Sequence, residues 1–273
     1  MKAIFLDIDG TLTTPGSNIP PESALAAIRK AQEKGNPVFL CSGRNEGMLR
    51  PLLQYGFDGY IACAGGYVVV GDKVLYDDPM PDEDRDTALE LLHKHGVFCT
   101  IETRDMTYGD TSLGKLLEGT ASLNSEIERW RKALAEGLNI RPIEEYDGAP
   151  AYKIVVMAQR YDQLNEAKEA LEDRYDFVMQ EVPEHGNVIN GELIKRTFDK
   201  GKGIRIVSDH LGITLADTVG FGDSMNDLAM IETVHTSVCM GNGAEALKKI
   251  SDHVADSVES DGLYKAFATL QLM

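Results

Sequence analysis

Apolar and polar positions along this chain follow two rhythms. In the first, short unbroken apolar runs alternate with stretches of helical spacing. Ala3-Ile4-Phe5-Leu6 and Val38-Phe39-Leu40-Cys41 are continuous apolar runs, the pattern of strands covered on both faces. Between them, Pro20-Pro21 opens a helical stretch that runs to about Lys34; Ala24, Leu25, Ile28 and Ala31 form its apolar stripe, and Gly35 stops it. A helix through Met48, Leu49, Leu52 and Leu53 follows. A strand near Tyr60-Ile61-Ala62 comes next, then a hairpin from Tyr67 to Tyr76 turning at Gly71-Asp72.

The acidic, proline-containing stretch Asp77-Asp78-Pro79-Met80-Pro81-Asp82 marks a boundary, and a second rhythm begins there. The pattern predicts a helix over Asp84–His95 and a strand over Val97–Glu102. Ser125 and Glu128 form a capping box for a helix carrying Ile127, Trp130 and Leu134. A strand at Tyr152–Ala158, a helix around Asp162–Arg174, and strands near Phe177–Glu181 and Asn187–Leu193 complete this part. The first rhythm returns at about Lys195, with a helix over Ile204–Leu211, a strand at Thr218–Phe221, a run Val238-Cys239-Met240 ending in the turn Gly241-Asn242-Gly243, and a helix over Ala244–Ile250. Strands alternating with helices imply βαβ units and a mainly parallel sheet, hence an α/β core. The middle part implies a smaller α+β domain with an antiparallel sheet. The predicted organisation is one core from residues 1–80 and 193–273, with residues 81–192 inserted.

Composition narrows the function. A chain of 273 residues can bury a sizeable core, and its 43% hydrophobic and 26% charged residues are ordinary for a globular protein. The net charge of −17 argues against a nucleic-acid or anionic-membrane surface, since both need a basic footprint. No apolar run approaches the roughly 20 residues of a membrane span, and no long apolar segment of a signal peptide follows Lys2. Cys41, Cys63, Cys99 and Cys239 are dispersed, which fits reduced thiols in a cytoplasm.

The candidate chemistry sits where apolar runs end. Asp7 and Asp9 follow the first run and lead into Gly10-Thr11; Gly222-Asp223-Ser224-Met225-Asn226-Asp227 follows Val219-Gly220-Phe221. Open α/β sheets carry their sites at the C-terminal ends of strands. Two carboxylate clusters meeting there make an oxygen-lined negative site that suits a hard cation, Mg²⁺ beside a phosphate. On this reading Asp7 is a nucleophile toward phosphorus and Asp9 a general acid/base, with an aspartyl-phosphate between two steps. An EF-hand needs a different spacing, which is missing. Asp7, Asp9, Asp223 and Asp227 make up the metal set, and Asp227 and Asn226 are also placed to orient a ligand or a lysine.

Ser42 follows the second run; its hydroxyl and the Gly43 N–H are candidates to hold phosphoryl oxygens. Arg44 either reaches a substrate or forms a surface ion pair. Lys200-Gly201-Lys202-Gly203 reads as a segment before a helix, and a lysine there would neutralise nucleophile and phosphate. Two signals are rejected. Gly109 to Lys115 matches a phosphate loop, but Leu116 stands where Ser or Thr must bind Mg²⁺. His93-Lys94-His95 are adjacent on a helix, face apart, and make poor metal ligands.

Asp7-Ile-Asp-Gly-Thr-Leu, Ser42 at a strand end, a Lys-Gly at a helix and Gly222-Asp-Ser-Met-Asn-Asp, in that order, resemble the haloacid dehalogenase (HAD) superfamily. The insertion resembles the type IIB cap of its Cof-like phosphatases, and the resemblance extends to Met240-Gly241-Asn242 and Asp261-Gly262. It implies a Rossmann-like core, Mg²⁺, the roles given above to Asp7 and Asp9, a metal contact from the Asp9 backbone carbonyl, and a mobile cap that closes over the substrate. Of the two lysines, the spacing favours Lys200, with Lys202 the runner-up. Many Cof-like members carry Asn-Gly-Ala after the third strand; here Ala64-Gly65-Gly66 stands there, without the Asn side chain.

The expected activity is Mg²⁺-dependent hydrolysis of a small phosphorylated metabolite, a sugar phosphate or similar monoester. Catalysis falls to Asp7, Asp9, Ser42 and Lys200, and substrate contacts to Ser42, Gly43, Arg44, Lys200 and Asn226. A phosphomannomutase-like phosphotransferase and a non-catalytic phospholigand-binding protein on the same fold are the alternatives.

Overall fold

The computed structural model describes residues 1–110, 140–179 and 189–273. Its chain forms two compact units, one of Met1–Arg44, Leu49–Asp77 and Asp199–Met273, the other of Asn45–Met48 and Asp78–Phe198.

The first unit begins with β1 (Ala3–Leu6), buried at every residue. A helix over Glu22–Glu33 buries Ala24, Leu25, Ala27, Ile28 and Ala31, the face that the apolar spacing implied. Next come β2 (Val38–Cys41), a helix over Glu46–Leu53, β3 (Gly59–Ala62), and the hairpin of β4 (Tyr67–Val70) with β5 (Lys73–Asp77).

In the second unit a helix over Asp82–Lys94 leads to β6 (Phe98–Thr103), β7 (Thr107–Gly109) and β8 (Ile140–Pro142). Then come β9 (Ala151–Ala158), a helix over Asn165–Leu171, β10 (Tyr175–Met179) and β11 (Ile189–Lys195). Among the described residues the strand order is β10-β11-β9-β6-β7-β8, antiparallel except for the β7–β8 pair. Both helices pack on one face, where Ala88, Leu92, Cys99, Ile154, Val156, Leu171 and Leu193 form the core. Strand β11 runs through residue 192 to Lys195, so this unit ends at Phe198, beyond the expected 192, and it begins at Asp78. The capped helix expected around Ser125–Leu134, and residues 180–181 and 187–188 of the last two expected strands, lie outside the described residues.

The chain then returns to the first unit with a helix over Lys200–Leu211. Lys200-Gly201-Lys202-Gly203 was expected ahead of this helix and is instead its first turn. Asp199 is the N-cap, its carboxylate accepting from the Lys202 N–H at 2.6 Å, and that cap starts the helix four residues earlier. There follow β12 (Thr218–Gly222), a helix over Leu228–Thr233, β13 (Thr236–Cys239), a helix over Glu245–Ile250, β14 (His253–Val254) and a helix over Gly262–Thr269.

The strand order of this sheet is β14-β13-β12-β1-β2-β3-β4-β5, parallel from β14 to β3 and antiparallel through the hairpin. Helices cover both faces. Phe5, Phe39, Ile61, Ile204, Val207 and Met230 form the core on one side, and Phe221 packs on Phe267 at 5.2 Å between ring centroids on the other. Each such side chain contributes about 1.5–3 kcal/mol on burial. The chain moves from β1 to β2 in one direction across the sheet and from β12 to β13 in the other. The crevice of this doubly wound sheet therefore opens at the C-terminal ends of β1 and β12.

Candidate active site

Asp7 is the residue after β1 and Asp223 the residue after β12. The strands are parallel with Leu6 opposite Phe221, and the Asp7 N–H continues the ladder onto the Phe221 carbonyl at 2.9 Å, so both carboxylates leave the sheet at the same edge. Lys200 is the first residue of its helix and 3% exposed. Its ammonium donates to Asp7 Oδ1 at 2.6 Å and also to Asp227 Oδ1. The other Asp227 oxygen accepts the N–H groups of Asp223 and Ser224, at 2.9 and 3.1 Å, which closes the loop after β12 around the lysine. Two glycines make room. A Cβ on Gly10, whose φ is +89°, would lie 2.2 Å from Asp223 Oδ2, and one on Gly222 would lie 2.7 Å from the Asp227 Cβ.

Oxygens of Asp7, Asp223 and Asp227 lie within 4.8 Å of one another. Burial, then repulsion from Asp227, pushes Asp223 up to about 7. The same causes in the same order hold Asp7 well above the usual carboxylate range, with Lys200 opposing. Burial works against the Lys200 ammonium, but Asp227 and Asp7 outweigh it and its pKa is raised. Three carboxylates around one ammonium leave negative charge uncompensated, and all-oxygen donors suit a hard divalent cation. The site fits one.

The Asp9 carboxylate, the expected acid/base group, is held by Arg44 through Nε at 2.8 Å and through its terminal nitrogen at 2.7 Å, and the Gly16 N–H donates to it at 2.8 Å. Arg44 is no surface residue. It is 6% exposed and also holds Asn18 Oδ1 at 2.7 Å. Ser42 is 3% exposed, and its hydroxyl oxygen accepts the Arg44 N–H at 3.2 Å. Space beside the Gly43 Cα is open. Asn226 is exposed, its amide oxygen taken by the Ser224 hydroxyl at 2.8 Å. Lys202 turns away to the Tyr76 hydroxyl and sits 4.2 Å from the Tyr76 ring centroid.

Sequence reasoning left the contacts of three residues unread. Arg44 was weighed without its carboxylate partner, 35 residues away. Asp199 starts the helix that carries Lys200; an Asp ahead of Lys-Gly is a cap signal that could have found it. Asn242 braces the loop after β1, donating to the Gly10 carbonyl at 2.8 Å and accepting the Val258 N–H at 2.9 Å.

His93, rejected as a ligand with its neighbours, does approach Cys99 and Asp110. Asp110 Oδ2 already accepts the Cys99 N–H at 2.7 Å and lies 3.1 Å from His93 Nε2. Burial pushes the Cys99 thiol up and disfavours the thiolate a metal would need, so the group ties β6 and the end of β7 to the Asp82–Lys94 helix.

The sequence matches the haloacid dehalogenase-like hydrolase family over residues 4–267. It is 31% identical to YkrA of Bacillus subtilis, a provisionally named phosphatase, covering 100% of this chain and 98% of that protein. It is 27% identical to the B. subtilis 5-amino-6-(5-phospho-D-ribitylamino)uracil phosphatase YwtE, covering 96% of each. Identity to the Escherichia coli pyridoxal phosphate phosphatase YbhA is 25%, over 94% of this chain and 96% of that one. Among solved structures, a hypothetical protein from Geobacillus kaustophilus superposes with a TM-score of 0.83 at 24% identity, covering 100% of this chain and 99% of that one. The HAD subclass IIB sugar phosphatase BT4131 superposes with a TM-score of 0.77 at 24% identity over the whole of both chains. Among the described residues no helix is long and apolar enough to cross a membrane.

Proposed function

Because this chain belongs to the haloacid dehalogenase-like hydrolases, as a phosphatase acting on phosphate monoesters, we propose that it hydrolyses a small phosphorylated metabolite through an aspartyl-phosphate at Asp7, with Mg²⁺ as cofactor. The observation that carries the reading is the buried Lys200 ammonium bridging Asp7 and Asp227 beside Asp223. A lysine that binds both carboxylates holds the Asp7 side chain in one orientation and keeps its free oxygen aimed out of the sheet edge. Named relatives act on a phosphoribitylamino compound and on pyridoxal phosphate, both small monoesters, which supports hydrolysis over transfer to a second sugar.

The free Asp7 oxygen attacks phosphorus, and the bond from phosphorus to the leaving oxygen breaks. Asp9 leaves Arg44, takes up a proton from solvent and gives it to that oxygen, releasing an alcohol. Asp9, now a base, takes a proton from the water that attacks the aspartyl-phosphate; phosphate departs and Asp7 is restored. Ser42 and the Gly43 N–H hold phosphoryl oxygens through the exchange, and Lys200 neutralises charge that grows on them. Asp7, Asp223, Asp227 and the Asp9 carbonyl would hold the divalent cation, which supplies positive charge against the phosphoryl oxygens.

The test is hydrolysis of p-nitrophenyl phosphate with Mg²⁺. Wild-type protein is expected to turn it over and Asp7→Asn to lose at least about 10³-fold in kcat while keeping its melting behaviour. A folded Asp7→Asn protein that kept more than about a tenth of the rate, a barrier change under roughly 1.4 kcal/mol, would remove Asp7 as nucleophile.

A further inference from the structure

The turn after β13 touches both carboxylate-bearing loops of the first unit. Asn242 sits there between Gly241 and Gly243, neither of which has room for a side chain. A Cβ on Gly241 would lie 2.8 Å from the Ala255 carbonyl oxygen, and one on Gly243 would lie 2.7 Å from the Asp223 carbonyl oxygen. The turn is thus pressed onto the main chain of the loop after β12, and the Ala244 N–H donates to that same Asp223 carbonyl at 2.7 Å. Asn242 reaches the other loop. Its amide nitrogen donates to the Gly10 carbonyl at 2.8 Å, while its amide oxygen accepts the Val258 N–H at 2.9 Å. The Gly10 N–H donates to the Thr13 carbonyl at 2.7 Å, so both peptide groups of Gly10 are held. Asn242 is exposed, yet both ends of its amide are bound to main chain. An exposed side chain gives up rotamer freedom for such contacts and adds little net stability. What it fixes is the distance between two loops.

We propose that Asn242 is a positioning residue for the divalent cation: by tying Gly10 to the turn that holds Asp223, it sets the spacing of the two loops that carry the metal ligands. The proposal rests on the Mg²⁺ part of the reading above and adds a residue to it. Asp7, Asp223 and Asp227 crowd together, and Lys200 offsets only part of their charge. Without a cation their repulsion works to part the loops after β1 and β12. A brace anchored outside the charged cluster opposes that parting, and a neutral amide does so without altering the charge. Groups that hold the loops behind metal ligands govern affinity in this way. An aspartate at 242 would set a carboxylate oxygen against the Gly10 carbonyl, acceptor against acceptor.

Mg²⁺ titrated calorimetrically into chelator-treated protein near pH 8, with melting curves alongside, separates cation binding from turnover. Asn36→Ala is the comparison variant. Asn36 also binds two main-chain groups, accepting the Lys2 N–H at 2.7 Å and donating to the Leu272 carbonyl at 2.9 Å, but beside the start of β1 and not its end. Asn242→Ala is expected to raise the Mg²⁺ Kd about tenfold, and Asn36→Ala to leave it within about twofold whatever it does to Tm. A folded Asn242→Ala protein with a Kd within about twofold of wild type, or equal weakening in Asn36→Ala, overturns the proposal. Should Asn242→Ala fail to fold, Asn242→Ser, too short to span both partners, is read in the same way. Wild-type protein that binds no Mg²⁺ overturns the proposal and the cofactor together. Weaker binding in Asn242→Ala, with no turnover of p-nitrophenyl phosphate by wild type, keeps this inference and sinks the phosphatase reading; ordinary Mg²⁺-dependent turnover with unaltered binding does the reverse.

Discussion

Lys200 and Lys202 stand two residues apart in the first turn of one helix, and their surroundings separate them. Lys200 is buried between Asp7 and Asp227; Lys202 lies against Tyr76. Lys200→Ala is therefore expected to lower kcat/KM by about 10²-fold or more, and Lys202→Ala to leave it within a factor of about three. Steady-state kinetics on both variants, with melting curves to verify folding, checks this; equal losses would mean that the ammonium beside Asp7 does not assist. The strand-end carboxylates Asp7 and Asp223 could be read from the chain because each follows an apolar run directly. The partner of Asp9 could not. Nothing local ties Asp9 to Arg44, and only the side-by-side placement of β1 and β2 brings the guanidinium to it. Arg44→Lys would keep the charge and lose the two-pronged grip. Its expected effect is a changed pH profile of kcat, read from rates across the acid and neutral range, with KM for p-nitrophenyl phosphate moved less; an unchanged profile would detach Arg44 from the proton transfer.

Elements were legible where the apolar pattern was continuous. β1, β2, β9 and β12 are buried at every residue and stand out as runs. β7, β8 and β14 have two or three residues each, too few for any period to show, and the Gly262–Thr269 helix follows a left-handed residue, Asp261, that hides its start. The segment after β3 was read only through the resemblance to Cof-like phosphatases. There Cys63 and Ala64 both have positive φ, 51° and 54°, ahead of Gly65 at 104°. The left-handed region costs a side chain with a Cβ about 1–2 kcal/mol, and Asn bears it better than Ala. Hydrogen bonds from the Cys63 N–H to the Arg44 carbonyl at 2.9 Å and from the Ala64 N–H to the Ser42 carbonyl at 3.0 Å hold this strained turn beside the end of β2. Ala64→Gly removes the steric cost and adds some chain entropy to the unfolded state, so a net gain of roughly 0.5–1 kcal/mol is expected. Scanning calorimetry should show a Tm higher by about 1–3 °C; a lower Tm would mean that the turn is not strained at Ala64.

At the scale of the molecule, the chain carries a net charge of −17 and crowds three carboxylates around one lysine at a single site, and the cost of that crowding depends on pH. Asp223 sits at about 7 and Asp7 is also raised, both first through burial and then through repulsion by Asp227. A carboxyl group raised in the folded state binds more protons folded than unfolded. Its contribution to stability is present below the ordinary carboxylate value near 4 and is lost as pH rises through the folded value near 7. Metal-free protein should thus lose stability as pH climbs from about 4 to about 7 on account of these groups. A divalent cation needs them ionised and reverses the trend, since it binds the folded site and stabilises by mass action. The rise in Tm on adding Mg²⁺ over a chelator-treated sample should be small near pH 5.5 and clearly larger near pH 8. All three carboxylates belong to the unit of Met1–Arg44, Leu49–Asp77 and Asp199–Met273. Hydrogen exchange near pH 8 should accordingly place the metal-induced protection in that unit and leave β6 and β9 of the other unit unaltered. A Tm gain from Mg²⁺ that is as large near pH 5.5 as near pH 8 would show that Asp223 and Asp7 are not the groups that bind it.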